Sequence, residues 1–152
     1  MGVERVRQFF AERQLDYDIL EFDTSTATVE LAAEAVGVEP ARIAKTMAVR
    51  IKERDIIVVT KGDARLDNRK FKDCFNSKAK MLKPDEVLAV TGHPVGGVCP
   101  FALKSGLPVY LDVSLKEFDC VYPAAGTPNS AVKITLDGLE EVTAGTWVDV
   151  CK

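Results

Sequence analysis

The stretch KTMAVRIKERDIIVVTKGD, residues 45–63, decides how the rest of the chain is read. Apolar, largely β-branched runs stand on either side of the charged ERD, a spacing that predicts a β-hairpin with residues 46–51 paired to 55–60. Working outward, EPARIA places Pro40 where a turn of helix can start. DTSTATVELAAEAVG offers hydroxyl caps before an alanine-rich run that stops at Gly37, the pattern of a capped helix. YDILEF, residues 17–22, alternates as a strand does, and Val3, Val6, Phe9 and Phe10 recur at the spacing of an amphipathic first helix. Downstream, helices are predicted over 68–75 and over PDEVLAVTG, which Pro84 begins and Gly92 ends. LPVYLDVSL, DCVYPA and SAVKITL then predict three strands, and LDGLEEVTAG a last helix. Hairpin-length connections dominate the middle and end. The expected fold is therefore α+β: a single domain over residues 1–152, with a mixed, largely antiparallel, curved sheet flanked by short helices.

At 152 residues, 47% hydrophobic and 28% charged, the chain has an ordinary globular composition. A domain of this size buries about 68–70% of its unfolded surface, enough for a core without disulfides or metal. Charge in every turn of MGVERVRQFFAERQ argues against a signal peptide or membrane span, so the expected compartment is the cytoplasm. Cys74, Cys99, Cys120 and Cys151 form no CxxC pair, and one histidine cannot complete a usual zinc set with them. Free, reduced thiols, no metal and no cofactor are the expectation.

The net charge of −3 hides an asymmetry. Between Lys61 and Lys83 stand eight basic residues, among them Lys61, Arg65, Arg69, Lys70 and Lys72, against three acidic ones: +5 locally, and −8 over the remainder. Screening confines such a field to about 10 Å at moderate salt, so a local basic face can bind phosphate on an acidic protein. A solvated helix surface is the plainer alternative.

Two places could carry chemistry. Lys45 heads an apolar strand: it either reaches out to solvent along its stem or presents a fixed cation to a phosphate or carbonyl oxygen. TGHPVGGVCPF, residues 91–101, is either a connector or a stiff loop in which the N–H groups of Gly96, Gly97 and Val98 converge on an oxygen while Pro100 fixes the exit. It fits neither GxxxxGK[ST] nor GxGxxG. Cys99 and His93 invite a nucleophile–base reading, but no third, orienting group is evident; both are read as turn or pocket residues.

The ordered set AKTMAV, IIVVTKGDARLD, VGGVCPFAL and AAGTPNSAVKITLDGLEEVTAG resembles the YbaK/EbsC family of aminoacyl-tRNA deacylases, related to the editing domain of bacterial prolyl-tRNA synthetases. The resemblance spans nearly the whole chain. It implies an editing domain over 1–152 that hydrolyses, in trans, the ester of a mischarged aminoacyl-tRNA, with tRNA(Pro) carrying a small wrong amino acid as one substrate. It carries the family lysine over to Lys45 and the GxxxP element to Gly96–Pro100, with Cys99 where many relatives have serine. It implies a substrate pocket including His93, Cys99, Pro100 and Gly126, the last in a second glycine loop, and no protein general base. The implied partners are the tRNA acceptor end, contacted by the basic region (Lys61, Arg65, Arg69, Lys70, Lys72), and a synthetase. A non-catalytic tRNA- or synthetase-binding module of the same fold and a small hydrolase using Cys99 are the rival readings.

Overall fold

The hairpin forms, and it is the middle of the sheet. The computed structural model describes residues 2–104 and 106–152. In chain order these build α1 (Val3–Glu12), β1 (Ile19–Glu21), α2 (Val29–Val36), a 3-10 turn (Pro40–Arg42), β2 (Ile43–Ile51), β3 (Arg54–Lys61), α3 (Asn68–Phe75), β4 (Lys80–Met81), α4 (Pro84–Thr91) and β5 (Val109–Asp112). A 3-10 segment (Val113–Glu117), β6 (Cys120–Pro123), β7 (Ser130–Val132), β8 (Ile134–Thr135), α5 (Leu136–Thr143) and β9 (Thr146–Val148) complete it. The main sheet runs β8-β6-β2-β3-β5-β9, with β4 on a further stretch of β2, and β1 pairs β7 separately. The fold is α+β with a mixed, largely antiparallel, curled sheet.

Alternation along β3 explains why this hairpin is central. Ile57 and Val59 pack with Val6, Phe10, Phe101, Leu111 and Leu139 on one face, whereas Ile56 and Val58 pack with Val49, Ile51, Phe71 and Val150 on the other. Side chains alternate across a strand, so a run apolar at every position is one covered on both faces. α1 closes the first face, Phe10 meeting Phe101 edge-on with ring centroids 5.0 Å apart, and α3 closes the second through Phe71. Caps fall where hydroxyls, carboxylates and glycines invite them: Thr28 Oγ1 accepts from Leu31 N–H, Asp67 accepts from the N–H groups of Arg69 and Lys70, and Gly37 and Gly92 follow α2 and α4 in the left-handed region.

Several expectations need correction. β2 begins at Ile43, three residues before the predicted start, because β6 pairs with it there. The predicted strand LPVYLDVSL stops at Asp112, whose buried carboxylate accepts from Ser114 N–H at 2.9 Å and from Val150 N–H at 2.8 Å, turning the chain into a 3-10 segment. SAVKITL is two strands: Val132 pairs with Ile19 and Ile134 with Val121, so the chain changes partners at Lys133. β5 lies parallel to β3 and β9 parallel to β5, so these neighbours are joined by crossovers rather than hairpins. YDILEF contributes three strand residues only.

Candidate active site

A cavity of about 250 Å³ opens beside β2. Residues 43–48 of β2 form one wall, Thr28, Val29 and Ala32 at the start of α2 a second, Leu82 and Val87 near α4 a third, and Val95, Gly96 and Val98 face them from the loop after α4. Tyr122, Ala124 and Ser130 close the far end. The lining is mostly apolar. Among the described lining residues Lys45 is the single cation, and none is acidic, histidine or cysteine. Lys45 is half-buried, and its Nζ donates at 2.7 Å to the carbonyl of Ala64, a residue outside the cavity lining, which fixes the ammonium.

The loop that faces Lys45 is shaped by close contacts. Gly96 has a φ of +91°, a backbone region costly for any residue with a Cβ. A Cβ at Gly97 would lie 2.7 Å from Thr127 N and 2.8 Å from its Cα, so loop 94–98 can press against loop 126–128 only because nothing projects there. The two loops are stitched where Gly126 N–H donates to Gly97 O at 3.0 Å. Gly97 N–H is itself used on Pro94 O at 2.9 Å and does not face the cavity as a free donor. The N–H groups of Gly96 and Val98 have no acceptor among the described residues.

His93, Cys99, Pro100 and Gly126 sit behind this wall rather than in it: all are buried, and none lines the cavity. His93 Nε2 lies 2.7 Å from Phe101 O and 3.6 Å from Cys99 Sγ. A carbonyl can only accept, so Nε2 carries the proton, and Nδ1, left without a partner, is the unprotonated nitrogen. Burial lowers the His93 pKa and pushes the Cys99 thiol up to about 12. A neutral imidazole beside a protonated, enclosed thiol is the reverse of an activated pair.

The basic region divides. Lys61 is held by Glu117 at 2.7 Å and Asp63 at 3.5 Å, and Lys70 by Asp149 at 3.1 Å. These carboxylates raise both lysine pKa values, Glu117 and Asp149 foremost. Arg65, Arg69 and Lys72 are exposed and have no ion-pair partner among the described residues. The structure thus brings Lys45, Gly96 and Val98 to one cavity, sets five predicted residues behind or beside it, and leaves part of the basic region solvated.

Sequence reasoning missed Thr46 and Ser130 as lining residues, along with the small pair Ala44 and Ala48 whose lack of bulk leaves the space. Thr46 Oγ1 is buried without a hydrogen-bond partner. The signal was present in IAKTMAV: alanines at two positions of an otherwise bulky strand.

Comparison with known proteins agrees with this geometry. Residues 23–142 match the family model described as "Aminoacyl-tRNA editing domain". A Bacillus subtilis (strain 168) protein, "Uncharacterized protein YwhH", is 48% identical over 154 aligned residues, covering 100% of this chain and 98% of its own. The Enterococcus faecalis protein "Putative Cys-tRNA(Pro)/Cys-tRNA(Cys) deacylase EbsC" is 27% identical, covering 91% of this chain and 87% of its own. The structure described as "a putative trans-editing enzyme for prolyl tRNA synthetase" superposes with a TM-score of 0.91 at 29% identity, over 99% of this chain and 96% of that one. With the match spanning the cavity walls and the glycine loop, this chain belongs to the aminoacyl-tRNA editing domain family.

Proposed function

We propose that the protein is an aminoacyl-tRNA deacylase that acts in trans, hydrolysing the ester of tRNA mischarged with a small amino acid, tRNA(Pro) among the candidates. One observation carries the reading: Lys45 and the loop residues Gly96 and Val98 line the same small cavity. At about 250 Å³ it falls below the roughly 300–1,000 Å³ of pockets for drug-sized ligands, a size that suits an aminoacyl group.

The chemistry follows from what the walls offer. Water adds its oxygen to the ester carbonyl carbon, the bond to the ribose oxygen breaks, and that oxygen leaves with a proton, giving free amino acid and uncharged tRNA. Negative charge builds on the carbonyl oxygen, where unpaired backbone N–H groups such as those of Gly96 and Val98 stabilise it. Lys45 holds the terminal phosphate or the ester carbonyl in place. No carboxylate, imidazole or thiol of the described lining residues stands ready as a base. The water is activated instead by the substrate's own ribose hydroxyl or side chain, and positioning contributes the rest. Such a sieve answers a definite need, since one methylene discriminates by only about 1–3 kcal/mol in a synthetase pocket.

The acceptor end of tRNA is the proposed partner, approached through exposed Arg65, Arg69 and Lys72, with a synthetase as a second partner. The test is a panel of tRNAs carrying alanine, cysteine, serine or threonine. Deacylation of at least one well above the spontaneous rate is expected; no deacylation of any would overturn the reading in favour of a binding module.

A further inference from the structure

The cavity wall made by β2 is an interrupted sheet edge. β6 pairs with β2 at Ile43 and Ala44, β4 pairs at Val49 and Arg50, and between them no strand of the described residues covers this edge of residues 45–48. The direction of the backbone groups there follows from the other side of β2. Ile57 N–H donates to Pro108 O and Lys61 N–H to Ser114 Oγ, both away from β2, so Ala48↔Ile57 and Ala44↔Lys61 are pairs that exchange no bonds. In an antiparallel ladder bonded and non-bonded pairs alternate. Lys45 and Met47 therefore spend their N–H and C=O groups on β3, while those of Thr46 and the N–H of Ala48 turn to the open edge. None of these three groups meets a hydrogen-bond partner among the described residues.

An uncovered donor–acceptor pair inside a mostly apolar cavity is expensive to leave unmade. Its pattern fits one kind of occupant. An α-aminoacyl group carries an ammonium donor and a carbonyl acceptor at the same spacing as one residue of a strand. We propose that the open edge receives the aminoacyl group as a one-residue antiparallel partner of Thr46. The α-ammonium donates to the Thr46 carbonyl, and the ester carbonyl accepts from the Thr46 N–H. The direction follows from Lys45. In antiparallel register the ester continues toward the ribose past residue 45, the one cation among the described lining residues. A parallel residue would use Ala48 N–H instead and run the ribose toward β4. The inference rests on the deacylase reading and adds to it the group that receives the developing oxyanion: Thr46 N–H, with Gly96 and Val98 opposite.

The test removes single N–H groups. Replacing threonine at 46 by its α-hydroxy analogue converts the amide to an ester, which deletes that N–H and weakens the Lys45 carbonyl as an acceptor; the same exchange at Ala48 deletes the neighbouring N–H and weakens the Met47 carbonyl in the same way, so each variant controls for the other. Neither N–H belongs to the ladder and each exchange weakens one ladder carbonyl, so the two variants should melt within a few degrees of each other. Single-turnover deacylation is then measured on whichever tRNA ester the parent hydrolyses best, together with binding of uncharged tRNA. The ester at 46 should lower the single-turnover rate by about 10²-fold, as loss of one oxyanion donor does, with tRNA affinity changed less than threefold, and the ester at 48 should lower the rate less than tenfold. A folded 46 variant with the parental rate, or a greater loss at 48 than at 46, overturns the pairing. An inactive parent overturns the deacylase reading instead.

Discussion

His93 Nε2 and Cys99 Sγ stand 3.6 Å apart, yet the imidazole proton is committed to Phe101 O at 2.7 Å. The pair therefore ties the glycine loop to the core, and its geometry presents no activated nucleophile. Cys99→Ala should keep its single-turnover deacylation rate within about threefold of the parent, because removing an inert buried thiol costs packing and not a transition-state contact. In the native protein Cys99 should alkylate far more slowly than exposed Cys74. Mass spectrometry after iodoacetamide treatment reads this directly, and rapid labelling at Cys99 would revive the thiol reading.

Gly97 should resist substitution for a packing reason. A methyl there meets Thr127 backbone at 2.7 Å, whereas one at Gly106 meets nothing within 4 Å. Gly97→Ala should cost about 1–3 kcal/mol, as overpacking does, and displace the cavity wall, so activity falls as well. Gly106→Ala should melt with the parent. Equal melting temperatures for the two would show that the loops are not in close contact.

Stability should fall on mild acidification, and His93 is the cause. Burial lowers its folded pKa below the ordinary 6.5, so the unfolded chain binds a proton that the native state refuses. Its contribution is fully present above pH 6.5 and is lost as pH falls from there toward the lowered value. The chain has no other histidine, and the lowered carboxylates, Glu86 and Asp67, act only at more acidic pH. Melting at pH 7.5 and 5.5 should differ more for the parent than for His93→Gln. An equal difference would remove His93 from the account.

Binding of uncharged tRNA should weaken steeply with salt, and the contributions within the basic region should be unequal. Arg65, Arg69 and Lys72 have no ion-pair partner among the described residues, so each Ala substitution should flatten the plot of log affinity against log salt by about one unit if its side chain meets a phosphate. Lys70, already held by Asp149, should count for less. Identical slopes for the parent and the triple variant would place the tRNA elsewhere.

Local signals carried most of the fold. The hairpin, the helix over Asn68–Phe75 and the stops at Gly37 and Gly92 depend on residues within a few positions of one another. Where tertiary pairing decides, the string was mute. Lys133 looks like the middle of one strand, but its neighbours belong to two partners, and Lys80–Met81 is a strand only because β2 offers it an edge. The site divides in the same way. Lys45 and Gly96 were legible as residue types in context. That Gly97 spends its N–H on Pro94, and that Thr46 turns its backbone into the cavity, depends on register and on contacts between distant loops.

The central claim is that Lys45 acts in the cavity on an ester substrate. The most direct measurement is the single-turnover rate of Lys45→Ala on the mischarged tRNA that the parent hydrolyses best, with folding verified by its melting curve. The account predicts a loss of about 10²-fold or more, on the scale of removing one positioned electrostatic contact. A folded Lys45→Ala variant that deacylates at the parental rate would contradict it.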